Sequence, residues 1–455
     1  MSLLTDLISY WNCNESSGDL SDSFGGITLT NNGSTPFDTG KISNAIDFGT
    51  TNTNKFFAYS STNIYDGGAF TVNAWVKIRT APSTGEIQII FFSIDSVTDT
   101  YPILAYRNNG GTLETYMGRS RFGVAEDVVA HSQDLGTSDW HMLTVSYDGT
   151  NISSYIDNVL VGTTTSTGNG SGASTMTRIG AWATGGDYLK AYVDMVGFWG
   201  RELTSDERTK LYNNGNARQY PFLESGLLAY WKLNESSGNA SEEINSLTGT
   251  NQNVTYSTGK INNGAVFNGT TSSLDIGTST ILKPTSITLS AWIKTSGTGG
   301  AIVLKKALSN GGHNAYDMSI SGANIVSRVK RGSGTTFSDL TSSGATINDD
   351  NWHHIVMTYT AGTHKIYIDN IERGSSSPTA TNIYYDGNYN AFIGCGEAGT
   401  TREGFFNGTI DEVGIWDRVL TISEIDELYN SGIGNEYPFV TPPPQPSNPN
   451  FFQLF

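Results

Sequence analysis

The chain has 455 residues, and its 43 acidic residues outnumber its 26 lysine and arginine residues, so its formal net charge is −17 at pH 7. This charge argues against nucleic acid and anionic membranes as main partners, because both require a basic surface. Two cysteines exclude a disulfide framework, and the lack of any run of about 18 apolar residues argues against a membrane-spanning helix. The 52 glycines, with abundant Asn, Thr and aromatic residues, indicate a β protein with many turns.

The sequence is duplicated over most of its length. Matching segments occur in the same order in both halves, namely Tyr10-Trp11 and Tyr230-Trp231, Gly40-Lys41-Ile42 and Gly259-Lys260-Ile261, Ala74-Trp75 and Ala291-Trp292, Trp140-His141 and Trp352-His353, and Tyr220-Pro221-Phe222 and Tyr437-Pro438-Phe439. The period is far longer than the roughly 20–50 residues of solenoid repeats. We therefore predict two domains, residues 1–222 and 223–440, followed by a C-terminal arm of residues 441–455.

Strand patterns recur within each half. Phe70–Ile78 alternates apolar and other residues, and Ile287–Lys294 repeats this pattern. His141–Tyr147 and Ile152–Asp157 flank an Asp148-Gly149 turn, which predicts a hairpin. Many short strands and few helices predict an all-β fold of two tandem antiparallel jelly-roll β-sandwiches.

One short helix is predicted near the C-terminal end of each half. The segments Thr204–Glu207 and Thr421–Glu424 are capping boxes, in which a threonine hydroxyl and a glutamate satisfy free backbone N–H groups. Apolar residues follow at helical spacing, and Gly215 and Gly432 are the predicted helix ends. We expect each helix to cover one edge or end of its sandwich.

The C-terminal arm is rich in proline and ends in apolar residues. Its proline-rich part predicts a stiff polyproline II spacer. The apolar residues at its end are Phe451, Phe452, Leu454 and Phe455. We interpret the arm as a docking element, with a frayed tail as the alternative.

Each half resembles the laminin-G-like branch of the concanavalin A-like lectin/glucanase superfamily. The resemblance rests on the ordered motifs above, together with Asn-Glu-Ser-Ser-Gly after the opening Tyr-Trp, a Tyr-Ile-Asp-Asn turn, and a closing Val/Ile-Asp-x-Val-Gly-Phe/Ile-Trp-x-Arg-x-Leu-Thr. It covers nearly all of residues 1–440. It implies a jelly-roll fold but leaves function open, because this fold serves lectins, adhesion modules and glycosidases.

The sequence offers little for catalysis. A glycosidase requires two carboxylates that face each other in a cleft. Glucanases of the resembled superfamily carry Glu-x-Asp-x-x-Glu on one strand, whereas the nearest match here, Glu424-Ile-Asp426, lacks the last carboxylate and lies on a predicted helix. The six histidines lack zinc-ligand spacing. We predict a protein that is not an enzyme, with a hydrolase that uses an unrecognised carboxylate pair as an alternative.

The resemblance implies a structural calcium ion between the loop after the first strand and an aspartate of a late strand. The matching residues are Asp22 with Asp194, and Glu242 with Asp411. Asp194 and Asp411 stand within apolar strands, where a carboxylate needs a partner. The alternative is that these side chains accept hydrogen bonds from backbone N–H groups of a neighbouring loop.

Aromatic residues of the loops are candidates for glycan binding. Lectins place an exposed aromatic ring against the apolar face of a sugar, surrounded by Asn, Asp and Gly. The candidates are Tyr65, Tyr101, Trp182, Tyr188, Tyr384, Tyr385 and Tyr389. The repeated tryptophans lie within strand patterns and are predicted to be core residues.

The chain as a whole resembles accessory proteins of bacteriophage particles, such as head fibres, decoration proteins and tail adhesins. It combines a start without signal-peptide features, an acidic composition, no disulfide framework and tandem lectin-like domains. We therefore expect a virion protein made in the host cytoplasm, which binds host-surface glycans, docks on other virion proteins through its arm and is a homo-oligomer or part of a larger assembly. The alternatives are a secreted or cell-surface bacterial adhesin and a purely architectural protein.

Overall fold

The computed structural model describes residues 3–51, 54–60, 64–65, 67–94, 100–121, 127–166, 176–182, 186–306, 314–331, 336–385, 387, 389–398 and 401–439. One compact unit ends at Phe222, and a second begins at Leu223; they are called domain 1 and domain 2. The predicted docking arm, with Phe451, Phe452, Leu454 and Phe455, lies outside the described residues.

Domain 1 is built from strands that form two sheets. The strands are β1 (Leu7–Trp11), β2 (Thr30–Asn32), β3 (Phe37–Thr39), β4 (Asn44–Asp47), β5 (Phe56–Ser60), β6 (Phe70–Ile78), β7 (Ile87–Ile94), β8 (Thr100–Asn109), β9 (Thr112–Arg121), β10 (Asp127–Ser132), β11 (His141–Tyr147), β12 (Asn151–Ile156), β13 (Val159–Thr165), β14 (Met176–Ile179) and β15 (Ala191–Trp199). In the described part of the domain, the larger sheet has the order β13-β12-β11-β6-β15-β4-β3 with β1 beside β15, and the smaller sheet has the order β10-β9-β8-β7-β14-β5-β2.

Domain 2 repeats this architecture. Its strands are β16 (Leu227–Trp231), β17 (Thr250–Gln252), β18 (Thr255–Thr258), β19 (Asn263–Asn268), β20 (Ser273–Gly277), β21 (Ile287–Lys294), β22 (Gly299–Lys306), β23 (Asn314–Ser321), β24 (Asn324–Lys330), β25 (Phe337–Thr341), β26 (Trp352–Thr360), β27 (Thr363–Ile368), β28 (Ile371–Ser376), β29 (Ala391–Ile393), β30 (Gly396–Ala398), β31 (Thr401–Glu403) and β32 (Asn407–Trp416). Its larger sheet has the order β18-β19-β32-β21-β26-β27-β28 with β16 beside β32, its smaller sheet has the order β17-β20-β29-β22-β23-β24-β25, and β30 pairs with β31.

Neighbouring strands in both domains pair antiparallel, which confirms the predicted tandem jelly-roll fold. Strand β6 begins and ends at the predicted residues, and so does β21. Within β6, Val72, Ala74 and Val76 face the core between the two sheets, whereas Trp75, which lies between Ala74 and Val76, faces the outside of the larger sheet. This alternation is the two-residue period of a strand.

A short helix covers the outer face of the larger sheet in each domain. In domain 1, α1 (Ser205–Tyr212) packs the ring of Tyr212 in a stack on Trp75, with ring centroids 5.8 Å apart. In domain 2, α2 (Ile422–Tyr429) repeats this contact between Tyr429 and Trp292. Neither of these helices, nor any other helix within the described residues, has the length and apolar character needed to cross a bilayer.

Both predicted capping boxes are present, but the predicted helix ends are wrong. The α-helical turns end at Asn213 and Asn430, which have positive φ, because asparagine tolerates the left-handed conformation. Gly215 and Gly432 instead end the 3-10 turns that follow, Asn213–Gly215 and Asn430–Gly432.

Candidate functional site

The repeated Gly-Lys-Ile motif converges on a buried aspartate in each domain. Oδ2 of Asp194 accepts backbone hydrogen bonds from Lys41 at 2.9 Å and from Ile42 at 3.0 Å. The first residue of the motif must be glycine, because a Cβ atom at Gly40 would lie 2.7 Å from Oδ2 of Asp194 and closer still to a backbone oxygen. Burial raises the pKa of Asp194 to about 7, although the N–H groups of Ile42 and Lys41 oppose this rise.

Domain 2 has the same arrangement around Asp411. Its Oδ2 accepts hydrogen bonds from the backbone N–H groups of Lys260 at 2.8 Å and Ile261 at 3.0 Å. Oδ1 accepts a further bond from the N–H of Glu412 at 3.0 Å. Burial raises the pKa of Asp411 to about 8. The two aspartates therefore fix the Gly-Lys-Ile loop to the late strands β15 and β32.

The other two predicted calcium ligands also accept backbone hydrogen bonds. The carboxylate of Asp22 accepts N–H groups of Tyr10, Phe24 and Ile27 at 2.9–3.0 Å. Glu242 occupies the same place in domain 2 and accepts four backbone N–H groups. The longer glutamate side chain thus accepts backbone hydrogen bonds of the same loop in domain 2, as Asp22 does in domain 1.

These carboxylates do not fit a calcium site. Calcium requires six to eight oxygen ligands, whereas hydrogen-bond donors converge on Asp22, Asp194, Glu242 and Asp411. Among the described residues, no three His, Cys, Asp or Glu side chains are grouped so that they could hold a metal ion. The geometry corresponds to the alternative in which the carboxylates accept hydrogen bonds from neighbouring loops.

A cleft of about 210 Å³ lies on the outer face of the smaller sheet of domain 1. Residues of strands β7, β8 and β9 form its floor, and Trp182 and Asp187 form its wall. The lining residues are Ile87, Ile89, Ile103, Arg107, Tyr116, Trp182 and Asp187. An apolar floor with a few polar groups is the usual composition of a small-molecule site.

The aromatic wall of the cleft is held by contacts to the sheet. The half-buried ring of Trp182 packs on Phe92, with ring centroids 5.2 Å apart. The Trp182 carbonyl accepts a 2.7 Å hydrogen bond from the Arg178 guanidinium. The carbonyl of Asp187 accepts the N–H of Ile89 in β7 at 3.0 Å. Both ends of this wall are therefore anchored to the sheet.

Three of the residues that line the cleft carry polar groups. The guanidinium of Arg107 lies 4.1 Å from the ring centroid of Tyr116 and pairs with Glu114 at 2.9 Å. The Tyr116 hydroxyl is buried and has no hydrogen-bond partner among the described residues. Burial, followed by the charge of Glu86, raises the pKa of the Asp187 carboxyl. A cation, a carboxyl and a free hydroxyl can thus bind hydroxyl groups of a ligand.

The aromatic candidates of domain 1 have different positions. Trp182 lines the cleft, whereas Tyr65 is only 4% exposed, packs against Phe70 and Phe198 in the core, and donates its hydroxyl hydrogen bond to the carbonyl of Gly68. Tyr65 is therefore not an exposed platform, which corrects the prediction.

The other two candidates of domain 1 are Tyr188 and Tyr101, and Tyr188 is not part of the cleft lining. The half-buried Tyr188 donates a 2.8 Å hydrogen bond from its hydroxyl to Asn54. The backbone of Tyr101 belongs to β8, and its side chain lies outside the described part of the structure.

The three tyrosine candidates of domain 2 lie on the segment from Ile383 to Asn390. Tyr384 is half-buried, and its ring covers the ammonium group of Lys330, whose Nζ is 4.7 Å from the ring centroid. Tyr385 packs against the core, and its hydroxyl donates a 2.9 Å hydrogen bond to the carbonyl of Pro284, so it anchors the segment. Tyr389 is half-buried, and its carbonyl accepts a hydrogen bond from Lys305.

Arg107 and Tyr116 were not among the residues singled out in the sequence. Arg107 lies in β8 and Tyr116 in β9, and both residue types are common on the exposed face of a strand. The signal that could have found them is the apolar character of both faces of β8, since Leu104 belongs to the core between the sheets and Ile103 to the outer face. A strand that is apolar on both faces needs something to cover its outer face.

The two domains differ at the cleft. The strand pairings align Tyr116 with Val326 and Arg107 with Ser321. Ile103 corresponds to Asp317 in the same register. The smaller sheet of domain 2 therefore has no counterpart of Arg107, Tyr116 or Ile103 at the aligned positions.

The carboxylates nearest to a glucanase motif have structural roles. Glu424 binds the guanidinium of Arg418 and completes the capping box of α2. Asp426 accepts a 2.6 Å hydrogen bond from the side-chain amide of Asn370. Within the described residues, neither carboxylate faces a second carboxylate across a cleft, as a glycosidase requires.

A family model described as concanavalin A-like lectin/glucanases superfamily, of the laminin G type, matches residues 49–207 and again residues 268–426. The two matches cover more than half of the chain and fall one in each domain. The chain therefore belongs to the concanavalin A-like lectin/glucanases superfamily, with two laminin-G-like domains in tandem. No curated protein sequence matches the chain.

Several solved structures are similar in fold. The binding domain of Paraclostridial Mosquitocidal Protein 1 is 18% identical, with a TM-score of 0.38, and the match covers 46% of this chain and 53% of that one, about half its length. Domain 4 of AbnA, a GH43 extracellular arabinanase from Geobacillus stearothermophilus in complex with arabinotriose, is 18% identical, with a TM-score of 0.33 and coverage of 46% and 98%. Domains LG4-5 of the mouse laminin alpha1 chain are 12% identical, with a TM-score of 0.26 and coverage of 82% and 90%. At these TM-scores, none of the likenesses defines what this chain binds.

Proposed function

We propose that the protein is a glycan-binding protein without enzymatic activity and that the cleft of domain 1 binds a sugar. The observation that supports this most directly is the combination of an aromatic wall at Trp182 with the unpartnered hydroxyl of Tyr116. A sugar ring presents C–H groups on one face and hydroxyls at its edge. An aromatic ring covers the first surface, and buried polar groups bind the second.

The charges in the cleft favour a neutral sugar. Arg107 is already paired with Glu114, and the cleft also contains the carboxyl of Asp187. An anionic ligand would meet a neutralised arginine and a carboxyl, whereas sugar hydroxyls can both donate and accept hydrogen bonds. The volume of about 210 Å³ suits a ligand of monosaccharide size at the end of a longer glycan.

The proposal can be tested with a glycan array and calorimetry on the full chain. Trp182→Ala removes the aromatic wall and should weaken binding about 30-fold, as expected for a central aromatic contact worth ~2 kcal/mol. Tyr116→Phe keeps the ring beneath Arg107 and removes only the hydroxyl, so we expect a loss of about fivefold.

Phe24→Ala is the matched control, because Phe24 is an exposed aromatic residue outside the cleft lining. Binding that both cleft variants leave unchanged would show that the cleft is not the site. A wild-type chain that binds no glycan on the array would reject the function itself. Incubation with the bound glycans should also produce no new reducing ends.

We propose further that the protein is a virion component that displays its two domains to host-surface glycans and docks through its C-terminal arm. Support comes from the sequence, namely the tandem lectin-like domains, the acidic composition, and the apolar end of the arm at Phe451, Phe452, Leu454 and Phe455. A secreted or cell-surface bacterial adhesin is the second candidate.

The arm provides the test of the virion role. Deletion of residues 441–455 should abolish incorporation into particles while the melting transitions of both domains are retained. Normal incorporation of the shortened chain would exclude the arm as the docking element. Recovery of the native protein from the cell surface, with none in particles, would favour the adhesin.

A further inference from the structure

The carboxyl of Asp187 in the cleft of domain 1 is held in place through its backbone. Asp187 has a φ of 47°, in the left-handed region, which aspartate tolerates better than most residues. Its carbonyl accepts the N–H of Ile89 in β7 at 3.0 Å. Its half-buried side chain lines the cleft and forms no hydrogen bond or ion pair with any described residue. The sheet therefore fixes where this carboxyl lies and leaves its two oxygens available to a ligand.

The cations near Asp187 are already paired with other carboxylates. Nζ of Lys190 lies 2.7 Å and 2.8 Å from the two carboxylate oxygens of Glu86, and the guanidinium of Arg107 pairs with Glu114 at 2.9 Å. Burial, followed by the charge of Glu86, raises the pKa of the Asp187 carboxyl. A half-buried carboxylate without a counter-ion is costly unless another group donates hydrogen bonds to it.

Tyr116 supplies the second unpartnered polar group of the cleft. Its hydroxyl is buried and has no hydrogen-bond partner among the described residues. The floor beside it consists of Ile87, Ile89 and Ile103, whose side chains cannot bind hydroxyl groups. Recognition of hydroxyls in the cleft therefore depends chiefly on Asp187, which accepts hydrogen bonds, and on Tyr116, which also donates one.

The corresponding place in domain 2 is closed by contacts within the protein. Strands β14 and β29 are each followed by a glycine with positive φ, Gly180 and Gly394. In domain 2 the chain then forms the hairpin of β30 and β31, whose Arg402 pairs with Asp275 at 3.1 Å. A cation and a carboxylate thus satisfy each other there. The unpaired carboxyl of Asp187 is therefore not a requirement of the shared fold.

We infer that Asp187 determines which sugar binds in the cleft, because its two carboxylate oxygens accept hydrogen bonds from two adjacent free hydroxyls of one sugar ring. This inference rests on the proposed binding of a neutral sugar in the cleft and adds the chemistry of that sugar. Each carboxylate oxygen can accept its own hydrogen bond, and hydroxyls on neighbouring ring carbons are close enough to reach both oxygens. The ligand is thus a sugar with an unsubstituted vicinal diol.

The test uses the full chain with methyl β-D-glucopyranoside, methyl β-D-galactopyranoside and methyl α-D-mannopyranoside, and binding is measured by NMR titration. For each glycoside that binds, the 2-, 3- and 4-deoxy derivatives are compared with the parent compound. We expect at least one glycoside to bind, and removal of either hydroxyl of one adjacent pair to weaken binding about tenfold, the size of a lost charge-assisted hydrogen bond. Binding of none of the three glycosides overturns the inference.

Asp187→Asn removes the charge and one acceptor oxygen, and asparagine also tolerates the left-handed conformation. It should weaken binding of the parent glycoside about tenfold. The variant should also bind the parent no better than the two deoxy derivatives of the adjacent pair, because the lost contacts are the same ones. A merely structural role of Asp187 would instead leave the ratio between parent and derivatives unchanged, and that result would overturn the inference.

Asp6→Asn is the matched control. Asp6 is an exposed residue outside the cleft lining, and its φ of 52° also lies in the left-handed region. Its carbonyl accepts the N–H of Gly200 at 2.8 Å, much as that of Asp187 accepts the N–H of Ile89. The control therefore loses the same charge in the same conformation and should bind as the wild type does.

The pH dependence of binding provides a second readout. The raised pKa of Asp187 means that its carboxylate takes up a proton at a higher pH than an ordinary aspartate, and the protonated oxygen no longer accepts a sugar hydroxyl as strongly. Affinity of the wild type should fall as pH is lowered from neutral through that raised value, and Asp187→Asn should lack this fall. The surrounding charged groups, Glu86, Lys190, Arg107 and Glu114, are present in both chains, so the difference between the two pH curves belongs to Asp187. Parallel curves would overturn the inference.

Failure of this inference is distinguishable from failure of the proposed function. If longer neutral glycans bind the wild type and lose affinity in Trp182→Ala but not in Asp187→Asn, the cleft is a glycan site and only the role of Asp187 is rejected. If the wild type binds no glycan of any length, the function itself is rejected and the inference falls with it.

Discussion

The hydroxyl of Tyr230 donates a hydrogen bond of 2.7 Å to Oε2 of Glu412 in the interior of domain 2. Glu412 is 2% exposed, and its second oxygen has no hydrogen-bond partner among the described residues. Domain 1 carries Met195 at this position, and the equivalent hydroxyl of Tyr10 donates to the carbonyl of Arg218. Domain 2 therefore contains two adjacent buried carboxyls, Asp411 and Glu412, where domain 1 has one.

This pair makes the stability of domain 2 depend on pH. Burial raises the pKa of Asp411 to about 8, and burial together with the charge of Asp411 raises the pKa of Glu412 well above its ordinary value. Both groups hold protons more tightly when the chain is folded. Their contribution to stability is therefore complete below pH about 4 and is lost as pH rises toward and beyond 8.

We expect Glu412→Met to stabilise domain 2 at pH 8 by about 1–3 kcal/mol, because it removes an unpartnered buried oxygen and the repulsion from Asp411. The reciprocal Met195→Glu should destabilise domain 1. Hydrogen exchange of peptides from each domain, measured at pH 6 and pH 8.5, assigns the change to its domain. At pH 8.5, faster exchange in domain 2 of Glu412→Met than in domain 2 of the wild type would contradict this account.

The Gly-Lys-Ile loop provides a second prediction. A Cβ atom at Gly259 would lie 2.4 Å from the carbonyl oxygen of Asn263 and 2.6 Å from Oδ2 of Asp411. Gly259→Ala should therefore displace the loop from Asp411 and destabilise domain 2 by roughly 2 kcal/mol or more. Gly299→Ala in the same domain is the control, because a Cβ there meets no atom within 4 Å. Equal unfolding midpoints for the two variants in urea would show that the close approach is unimportant.

The two consecutive histidines of domain 2 should have pKa values that are shifted in opposite directions from that of a free histidine. Nδ1 of His353 lies 2.7 Å from Asp369, and Nε2 lies 3.1 Å from Asp349, so hydrogen bonding to Asp369 above all raises its pKa. Burial lowers the pKa of His354 to about 3. The stabilising contribution of His353 is complete below its ordinary pKa of about 6.5 and disappears as pH rises through the raised value.

Asp369→Asn should lower the pKa of His353 by about 1, and Asp349→Asn should lower it less, because Asp369 is the stronger partner. NMR titration of the imidazole protons measures both effects. His354 provides an internal reference that should remain neutral down to pH about 4. A pKa of His353 that neither substitution changes would mean that the two carboxylates do not stabilise the imidazolium.

Calcium should leave the stability of the protein unchanged. Backbone N–H groups already bind Asp22, Asp194, Glu242 and Asp411, and a cation that binds only the folded chain would raise its melting midpoint. We expect identical midpoints in millimolar calcium and in excess EDTA, measured by calorimetry. A midpoint that rises with calcium concentration would identify an ion site that these hydrogen bonds do not account for.

Most of the fold was predictable from the two-residue alternation of the strands and from the motifs that occur once in each half of the chain. The bounds of β6 and β21, the capping boxes and the burial of Trp75 and Trp292 follow from residue alternation and local hydrogen bonding. The helix ends were missed because Asn213 and Asn430 adopt the left-handed conformation before the glycines are reached.

The candidate site was less predictable, because exposure of a loop aromatic depends on distant residues. Tyr65 is buried by Phe198, which lies far away in the sequence, whereas Trp182 remains in the cleft wall. Arg107 and Tyr116 meet only when β8 and β9 are paired in register, so the sequence of either strand alone does not bring them together. The Asp194 and Asp411 hydrogen bonds were foreseen as an alternative because a carboxylate in an apolar strand requires a partner.

The register that aligns Tyr116 with Val326 and Arg107 with Ser321 has an evolutionary consequence. Side chains of β7, β8 and β9 that point away from the core occupy every second position, so their replacement leaves the buried half of each strand intact. After the duplication, such exchanges could change the outer face of one copy without disturbing its packing, while the other copy kept its own. A chain that carries Val326→Tyr and Ser321→Arg would place the tyrosine and the arginine of the domain 1 cleft at the matching positions of domain 2.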